Sequence, residues 1–231
     1  MSSKKSLKLG FCELPFNFTP KQEQFIDIME NKNTRIVFLS GVAGTSKSFL
    51  STYVALKLFN MDSRKKIYYL RTVVESAERS LGFLRGDLSE KFGEYSAIFY
   101  EKIQQILDDP SCKALYSSQI VEAAPINFMR GRTFEDSVVI FDEASNASAK
   151  EMLTILTRIG KYSKIFICGD PKQSDIKNSG FKPFYNCFDN KESRNKGIYC
   201  LQFNKEDIVR DDIIGYIIDC SEYLFDGVKI T

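Results

Sequence analysis

The chain contains six short hydrophobic runs, separated by stretches in which apolar residues recur every three or four positions. The runs are nearly continuous, so strands formed from them should be buried on both faces. The predicted strands are 34–40, 66–71, 118–124, 137–142, 164–169 and 198–203. The predicted helices are 21–30, 47–59, 89–107, 148–159 and 211–225. Because strands and helices alternate, the pattern predicts an α/β fold with a doubly wound, mainly parallel sheet and helices on both faces.

Two segments lack both patterns. The spans 108–117 and 170–196 are irregular and polar, and the second is expected to contain a mobile loop. Near the C-terminal end, the last predicted helix carries an apolar stripe of Ile213, Ile214, Ile217 and Leu224. Such a stripe is typical of a helix that packs on the core.

The first predicted strand leads directly into a glycine-containing loop that a helix follows. The loop consists of Gly41, Val42, Ala43, Gly44, Thr45, Ser46, Lys47 and Ser48. Its two glycines permit a tight bend that points backbone N–H groups at phosphate oxygens, and the N-terminus of the next helix favours an anion. Lys47 would then contact the outer phosphates, and Ser48 would be a ligand of Mg²⁺. The spacing therefore predicts a P-loop that binds a nucleoside triphosphate.

Ser46 departs from the usual P-loop pattern G-x-x-x-x-G-K-[ST], in which glycine precedes the lysine. Its Cβ is expected to crowd the approach of phosphate, although serine can adopt the right-handed helical conformation at a helix start. The alternative interpretation is an ordinary strand-to-helix turn in which Ser46 is the helix N-cap.

The fourth predicted strand ends in two carboxylates, Asp142 and Glu143. A parallel strand delivers such groups to a phosphate site at its carboxyl end. Asp142 is expected to hold Mg²⁺, and Glu143 to orient and partly deprotonate the water that attacks the terminal phosphate. Taken alone, the pair is equally compatible with acidic loop residues after a buried strand. Combined with Lys47, it favours the catalytic interpretation.

Two further motifs resemble those of superfamily 1 helicases. Gly-Asp-Pro-Lys-Gln, after the fifth predicted strand, is similar to their sensor motif, which implies that Gln173 touches the terminal phosphate and Asp170 joins the metal network. Upstream, Thr-Pro-Lys-Gln-Glu-Gln-Phe looks like an adenine-reading motif, and the amide of Gln22 can both donate to and accept from a base edge. The alternatives are a common turn and an exposed glutamine on an amphipathic helix.

With these motifs, the chain resembles the PhoH-like family of P-loop ATPases, which is found in bacteria and their phages. The resemblance also rests on segments 71–75, 81–87, 129–133, 156–160 and 206–210, in family order. It implies an ATPase that uses ATP and Mg²⁺, acts on RNA or single-stranded DNA, and forms a homo-oligomeric ring, with a hexamer favoured. The departures from the family pattern are Ser46, Thr72, Arg85 and Ser145.

Phosphoryl transfer needs positive charge at the terminal phosphate, and an arginine finger commonly supplies it from outside the loop. In a single P-loop domain, the finger would have to come from another subunit. The candidates are Arg158, at the end of a predicted helix, and Arg210, just before the last one. Either arginine could instead form a surface salt bridge of little energetic value.

Length and composition are compatible with one compact domain. The chain has 231 residues, of which 43% are hydrophobic, and no internal repeat. Together with the family resemblance, whose motifs begin near residue 19, this implies an N-terminal extension at 1–18 and a single ATPase domain at 19–231. No apolar run matches a signal peptide or a membrane span, so we expect a cytoplasmic protein, in the host cytoplasm if phage-encoded, with no membrane partner. The chain has no histidine, which excludes His-based metal sites and Ser-His-Asp triads.

A net charge of +2 is only mildly basic, so composition alone does not indicate a nucleic-acid partner. Cations beside aromatic rings suit single-stranded nucleic acid. The candidates for such a surface are Arg71, Arg85, Arg130 and Arg132, with Phe83, Tyr95 and Phe128. The alternative function is a nucleotide-dependent oligomeric scaffold with slow or no hydrolysis, because Ser46 narrows the loop; the presence of Glu143 favours catalysis.

Overall fold

A computed structural model describes residues 7–72, 88–129, 131–209, 211, 213–218 and 220, and within the helix that begins at residue 88 it describes side chains from residue 96 onward. The strands are β1 (Ile36–Gly41), β2 (Lys66–Arg71), β3 (Val121–Pro125), β4 (Ser137–Asp142), β5 (Lys164–Gly169) and β6 (Ile198–Phe203). Every pairing among them is parallel, in the order β3-β2-β4-β5-β1-β6. The predicted strands and the parallel α/β sheet are confirmed.

Helices cover both faces of this sheet, as predicted. They are α1 (Pro20–Glu30), α2 (Lys47–Met61), α3 (Leu88–Ile106), α4 (Asp109–Ser117), α5 (Ala149–Leu156), α6 (Phe181–Phe188) and α7 (Lys191–Asn195). One core lies between the sheet and α1 to α4, where Phe25 of α1 meets Phe166 of β5 edge to face. The second core lies on the opposite face, where Phe38 of β1 contacts Phe181 and Phe188 of α6.

The two segments expected to be irregular contain helices, so that prediction is wrong. In the span 170–196, α6 spaces Phe181, Phe184, Tyr185 and Phe188 so that they share one face, which packs on the sheet. In the span 108–117, α4 begins where the side chain of Asp108 accepts from the N–H of Ser111 at 2.8 Å.

Residues 7–18, which belong to the predicted N-terminal extension, pack on the first core. Leu9 is buried, and the side-chain amide of Asn60 in α2 bonds both its N–H and its C=O, at 2.8 and 2.9 Å. At the other end, residues 213–218 are helical, but Ile213 and Ile217 are more than half exposed. The prediction that the apolar stripe packs on the core is therefore wrong for Ile213 and Ile217. Leu224 lies outside the described residues.

The strand order determines where the loops meet. β5 lies between β4 and β1, and β2 lies on the far side of β4. Because all of these strands are parallel, their carboxyl ends share one edge of the sheet, with neighbours about 4.8 Å apart. Four loops therefore open into a common space, those after Arg71, Asp142, Gly169 and Gly41.

Candidate functional site

That edge of the sheet carries a cleft of about 1270 Å³. The predicted site residues that line it are Ala43, Gly44, Ser46, Lys47, Ser48, Asp142, Glu143, Asp170 and Gln173. Gly41, Val42 and Thr45 belong to the same loop. Gln22 and Arg158 do not line the cleft, and Arg210 lies outside the described residues.

The P-loop is held by its own hydrogen bonds. The ammonium of Lys47 donates to the carbonyl oxygens of Gly41 at 2.7 Å and Val42 at 2.9 Å. The buried hydroxyl of Thr45 also donates to Val42, at 2.8 Å. Gly41 is required for close packing, since a Cβ there would lie 2.9 Å from the Cβ of Phe203. The lysine is thus positioned at the loop by backbone carbonyls that phosphate oxygens could replace.

Ser46 differs from the expectation for a helix start. Its backbone is left-handed, with φ 57° and ψ 26°, and its side chain makes no capping hydrogen bond. The expected right-handed conformation is therefore wrong, and so is the alternative of an ordinary serine N-cap. A left-handed residue in this place explains why the P-loop pattern has glycine there, because glycine adopts positive φ without steric cost.

The metal-binding candidates contact one another. The hydroxyl of Ser48, in the first turn of α2, donates to Asp142 Oδ1 at 2.6 Å. The phenol of Tyr69 in β2 donates to Asp142 Oδ2 at 2.5 Å. Burial, and then the charge of Asp142, raises the pKa of Tyr69, so its proton stays on the phenol and the hydrogen bond persists. A hydroxyl and a carboxylate are hard oxygen donors, so this pair fits a Mg²⁺ ion.

Glu143 is paired with Arg71, the last residue of β2. Glu143 has a left-handed backbone, φ 51°, and its side chain is about half exposed, at 51%, toward the cleft. Arg71 is mostly buried, and its Nε has no hydrogen-bond partner among the residues that the structure describes. Arg71 is a nucleic-acid-binding candidate from the sequence, whereas the structure places it beside the candidate general base.

Lys102 also lines the cleft. Lys102 of α3 holds its ammonium 5.6 Å from the centroid of the Tyr69 ring, which itself stacks on Phe99 with centroids 4.6 Å apart. Burial lowers the pKa of Lys102, while the charge of Asp142 opposes this shift. Lys102 thus lies near Arg71, Asp142 and Glu143.

The loops after β4 and β5 are fastened together. The side chain of Asn146 donates to Asp175 at 3.0 Å and accepts from the Asp175 N–H at 2.8 Å, and the hydroxyl of Ser174 donates to the Ser145 carbonyl at 2.9 Å. Asp170 caps the short 3-10 helix Pro171–Gln173, with its carboxylate accepting from the Lys172 N–H at 3.0 Å. This arrangement presents the exposed Gln173 to the cleft.

Gln22 does not lie where a base reader was expected. It is fully buried, its Oε1 accepts from the Thr19 N–H at 3.0 Å, and its Nε2 donates to the carbonyls of Thr45 at 3.3 Å and Asp207 at 3.0 Å. Its expected exposure on an amphipathic helix is equally wrong. The side chain instead joins the start of α1 to the P-loop.

Of the remaining arginine candidates, the structure describes Arg132 and Arg158, and neither lines the cleft. The Arg158 carbonyl accepts from Phe134, before β4 begins, so this residue lies toward the opposite edge of the sheet. It is half-buried, and within the described part of the chain its Nε has no hydrogen-bond partner. Arg132 is paired with Glu122 at 2.7 Å, and Phe128 is about half exposed. Phe83, Arg85 and Arg130 lie outside the described residues, and the side chain of Tyr95 is not described.

Sequence reasoning missed Tyr69 and Lys102. Tyr69 lies inside a hydrophobic run, where tyrosine is typical of core packing, and Lys102 lies on a helix far from any motif. One signal was available for Tyr69: it is two residues before Arg71, which the family resemblance singled out. No local signal marks Lys102.

The fold and the cleft define a member of the P-loop class of nucleotide-binding proteins. The chain belongs to the PhoH-like protein family, whose model matches residues 17–222. It is 35% identical over 201 residues to a PhoH-like protein of Bacillus subtilis, covering 87% of this chain and 62% of that protein. It is 34% identical over 194 residues to Protein PhoH of Escherichia coli, covering 82% of this chain and 53% of that protein. This chain thus spans less than two thirds of the length of each of these two relatives.

Solved structures give more distant similarities. The Pif1 helicase of Candida albicans matches with a TM-score of 0.46 at 16% identity, covering 90% of this chain and 44% of the helicase. FlhF complexed with GMPPNP and Mg²⁺ matches with a TM-score of 0.19 at 16% identity, covering 70% of this chain and 67% of FlhF. Both scores are low, so neither similarity supports an inference about function. None of the helices in the described ranges is long and apolar enough to cross a membrane.

Proposed function

We propose that this chain binds and hydrolyses ATP and couples hydrolysis to the binding or remodelling of RNA or single-stranded DNA in the cytoplasm. One observation carries the proposal: the Ser48 hydroxyl contacts Asp142 in a cleft that Lys47 and Glu143 also line. These side chains are the set that a Mg²⁺-bound triphosphate requires at a P-loop.

Ser48 and Asp142 would hold Mg²⁺, which when bound neutralises charge on the phosphate oxygens. Lys47 would exchange the carbonyls of Gly41 and Val42 for phosphate oxygens and so bring its positive charge to the substrate. The N–H groups at the start of α2 add the favourable end of a helix dipole.

Glu143 would act as the general base. Its carboxylate takes a proton from water while the water oxygen bonds to the terminal phosphorus; the bond from that phosphorus to the bridging oxygen breaks, and ADP leaves. Arg71 orients the carboxylate through their ion pair. Gln173 would contact the terminal phosphate, and Asp170 would join the metal network from the loop after β5.

The proposal includes a homo-oligomeric ring, with six subunits favoured by the family. Arg158 lies away from the cleft of its own chain, so as a finger it would act on a neighbouring subunit. Arg210 is the other candidate. Loss of a finger should abolish hydrolysis and leave nucleotide affinity largely unchanged.

Phosphate release tests the proposal. Wild type, Glu143→Gln and Lys47→Ala should be compared with and without single-stranded RNA and DNA, alongside molecular mass in solution. We expect Glu143→Gln to bind nucleotide without turnover and Lys47→Ala to lose affinity. Turnover by Glu143→Gln at the wild-type rate would remove this carboxylate from the mechanism, and stimulation by one polymer would identify the substrate class.

One observation favours the second candidate, a nucleotide-dependent scaffold with slow or no hydrolysis. The ammonium of Lys47 is bound to carbonyls of its own loop, so it must exchange these partners for phosphate oxygens before it acts. Nucleotide binding and assembly by wild type, with no phosphate release, would support the scaffold.

A further inference from the structure

The orientation of a bound triphosphate follows from the strand order. The P-loop follows β1, and the acidic pair follows β4, two strands away across β5. Two strand spacings correspond to about 10 Å. The terminal phosphate would therefore lie on the β4 side, and the nucleoside would extend toward the other side of the P-loop, where β6 is the neighbour of β1.

The described residues on the β6 side of the cleft are apolar. Pro15, Phe16, Phe49 and Val209 line it, and we call them the apolar end of the cleft. Phe16 packs on Phe49 with ring centroids 5.3 Å apart. The N–H of Val209 is engaged by the P-loop, since it donates to the Gly44 carbonyl at 3.3 Å.

The two segments that form this end are bonded to each other. The hydroxyl of Thr19, three residues after Phe16, donates to the carboxylate of Asp207 at 2.6 Å. Asp207 lies two residues before Val209 and is buried. The apolar end is thus built on hydrogen bonds between a segment before α1 and a segment after β6.

Gln22 cannot contribute its polar atoms to this surface as the structure stands. Its contacts are one N–H donor and two carbonyl acceptors, which use both protons of its amide nitrogen and one lone pair of its oxygen. This set of partners also fixes which end of the amide is oxygen. To reach a base, the side chain would have to leave a fully buried position and break contacts that hold α1, the P-loop and Asp207 together.

We propose that the nucleobase stacks on the apolar end of the cleft, chiefly on Phe16 and Val209, and that Gln22 positions the P-loop without reading the base. Every base has an aromatic face, so stacking is tolerant of base identity, whereas hydrogen-bond recognition of an edge is selective. The chain therefore accepts adenine and guanine nucleoside triphosphates with similar affinity. This inference rests on the proposed triphosphate site.

The test is equilibrium binding of AMP-PNP, GMP-PNP and inorganic tripolyphosphate, each with Mg²⁺, by calorimetry. For wild type, we expect dissociation constants for the two nucleotides within about threefold of each other, because stacking alone barely separates the purines. A preference for AMP-PNP of tenfold or more would overturn the inference. Failure of all three ligands to bind would instead overturn the proposed nucleotide site itself.

Variants locate the base. Phe16→Ala should weaken both nucleotides by about tenfold, the usual effect of losing one stacking ring, and leave tripolyphosphate within about twofold. Phe18→Ala is the matched control: Phe18 contacts Phe16 and Tyr53 but does not line the cleft, so it removes similar packing and should leave all three affinities unchanged. Equal losses in the two variants would overturn the stacking role of Phe16.

Gln22→Ala separates positioning from base reading. It should weaken AMP-PNP and GMP-PNP by the same factor, because both depend on the same loop, and leave their ratio unchanged. If wild type preferred AMP-PNP to GMP-PNP and Gln22→Ala lost that preference, base reading would be assigned to Gln22 and the inference would be overturned. If Gln22→Ala fails to fold, the wild-type ratio and the Phe16 and Phe18 variants still decide the question.

Discussion

Replacing Ser46 with glycine should stabilise the protein. Ser46 has φ 57° and ψ 26°, its side chain makes no capping bond, and the hydrogen bond from the Leu50 N–H to its carbonyl, 2.8 Å, does not depend on the side chain. A left-handed conformation costs a residue with a Cβ about 1–2 kcal/mol. Glycine avoids this cost but loses about 0.5–1 kcal/mol through the greater freedom of the unfolded chain.

The net gain should therefore be about 0.5–1 kcal/mol, or about 1–4 °C in Tm for a chain of this size. Thermal and urea unfolding of wild type, Ser46→Gly and Ser46→Ala would measure it. Ser46→Ala keeps the Cβ and should show no gain. Gln119→Gly is a matched control away from the cleft, since Gln119 is exposed and has φ 55°. It should gain a similar amount. A loss of stability in Ser46→Gly, or an equal gain in Ser46→Ala, would refute the strain argument.

Three further predictions concern buried polar groups. Tyr69→Phe removes the hydrogen bond to Asp142 and should lower the free energy of unfolding in urea by about 1.5–3 kcal/mol; a change near zero would contradict the contact. Arg71→Ala should leave the chain folded but reduce kcat at least about tenfold, because it releases Glu143 from the ion pair. Arg71→Lys should remain partly active. A kcat of Arg71→Ala equal to that of wild type would exclude the positioning role. Burial lowers the pKa of Lys164 to about 8, so above that pH the unfolded chain binds more protons than the folded chain. The free energy of unfolding of wild type, relative to that of Lys164→Met, should therefore rise by about 0.5–1 kcal/mol from pH 8 to 9. If the free energies of unfolding of the two proteins changed in parallel with pH, the result would contradict this prediction.

Much of the sheet and the cleft was predictable because local signals and topology agree. Lys47 and Asp142 each follow a continuous hydrophobic run, and parallel strands bring such ends to one edge. The motif roles of these residues remain predictions, but the structure brings the two side chains into one cleft.

The remaining features depend on contacts between residues far apart in the sequence, which local sequence patterns do not indicate. Gln22 was interpreted from its motif alone, yet its position is determined by carbonyls at Thr45 and Asp207, far along the chain. The helix α6 was missed because its aromatic spacing is embedded among polar residues that favour loops. The conformation of Ser46 could have been inferred, since a glycine in the P-loop pattern often marks a positive φ.

The hydrogen bonds between Asn146 and Asp175, together with that from Ser174 to Ser145, have a mechanical consequence. These hydrogen bonds join the loop that carries Glu143 to the loop that carries Gln173. Displacement of either loop by an incoming substrate would carry the other with it. In the proposed mechanism, the carboxylate and the amide would therefore approach the terminal phosphate together.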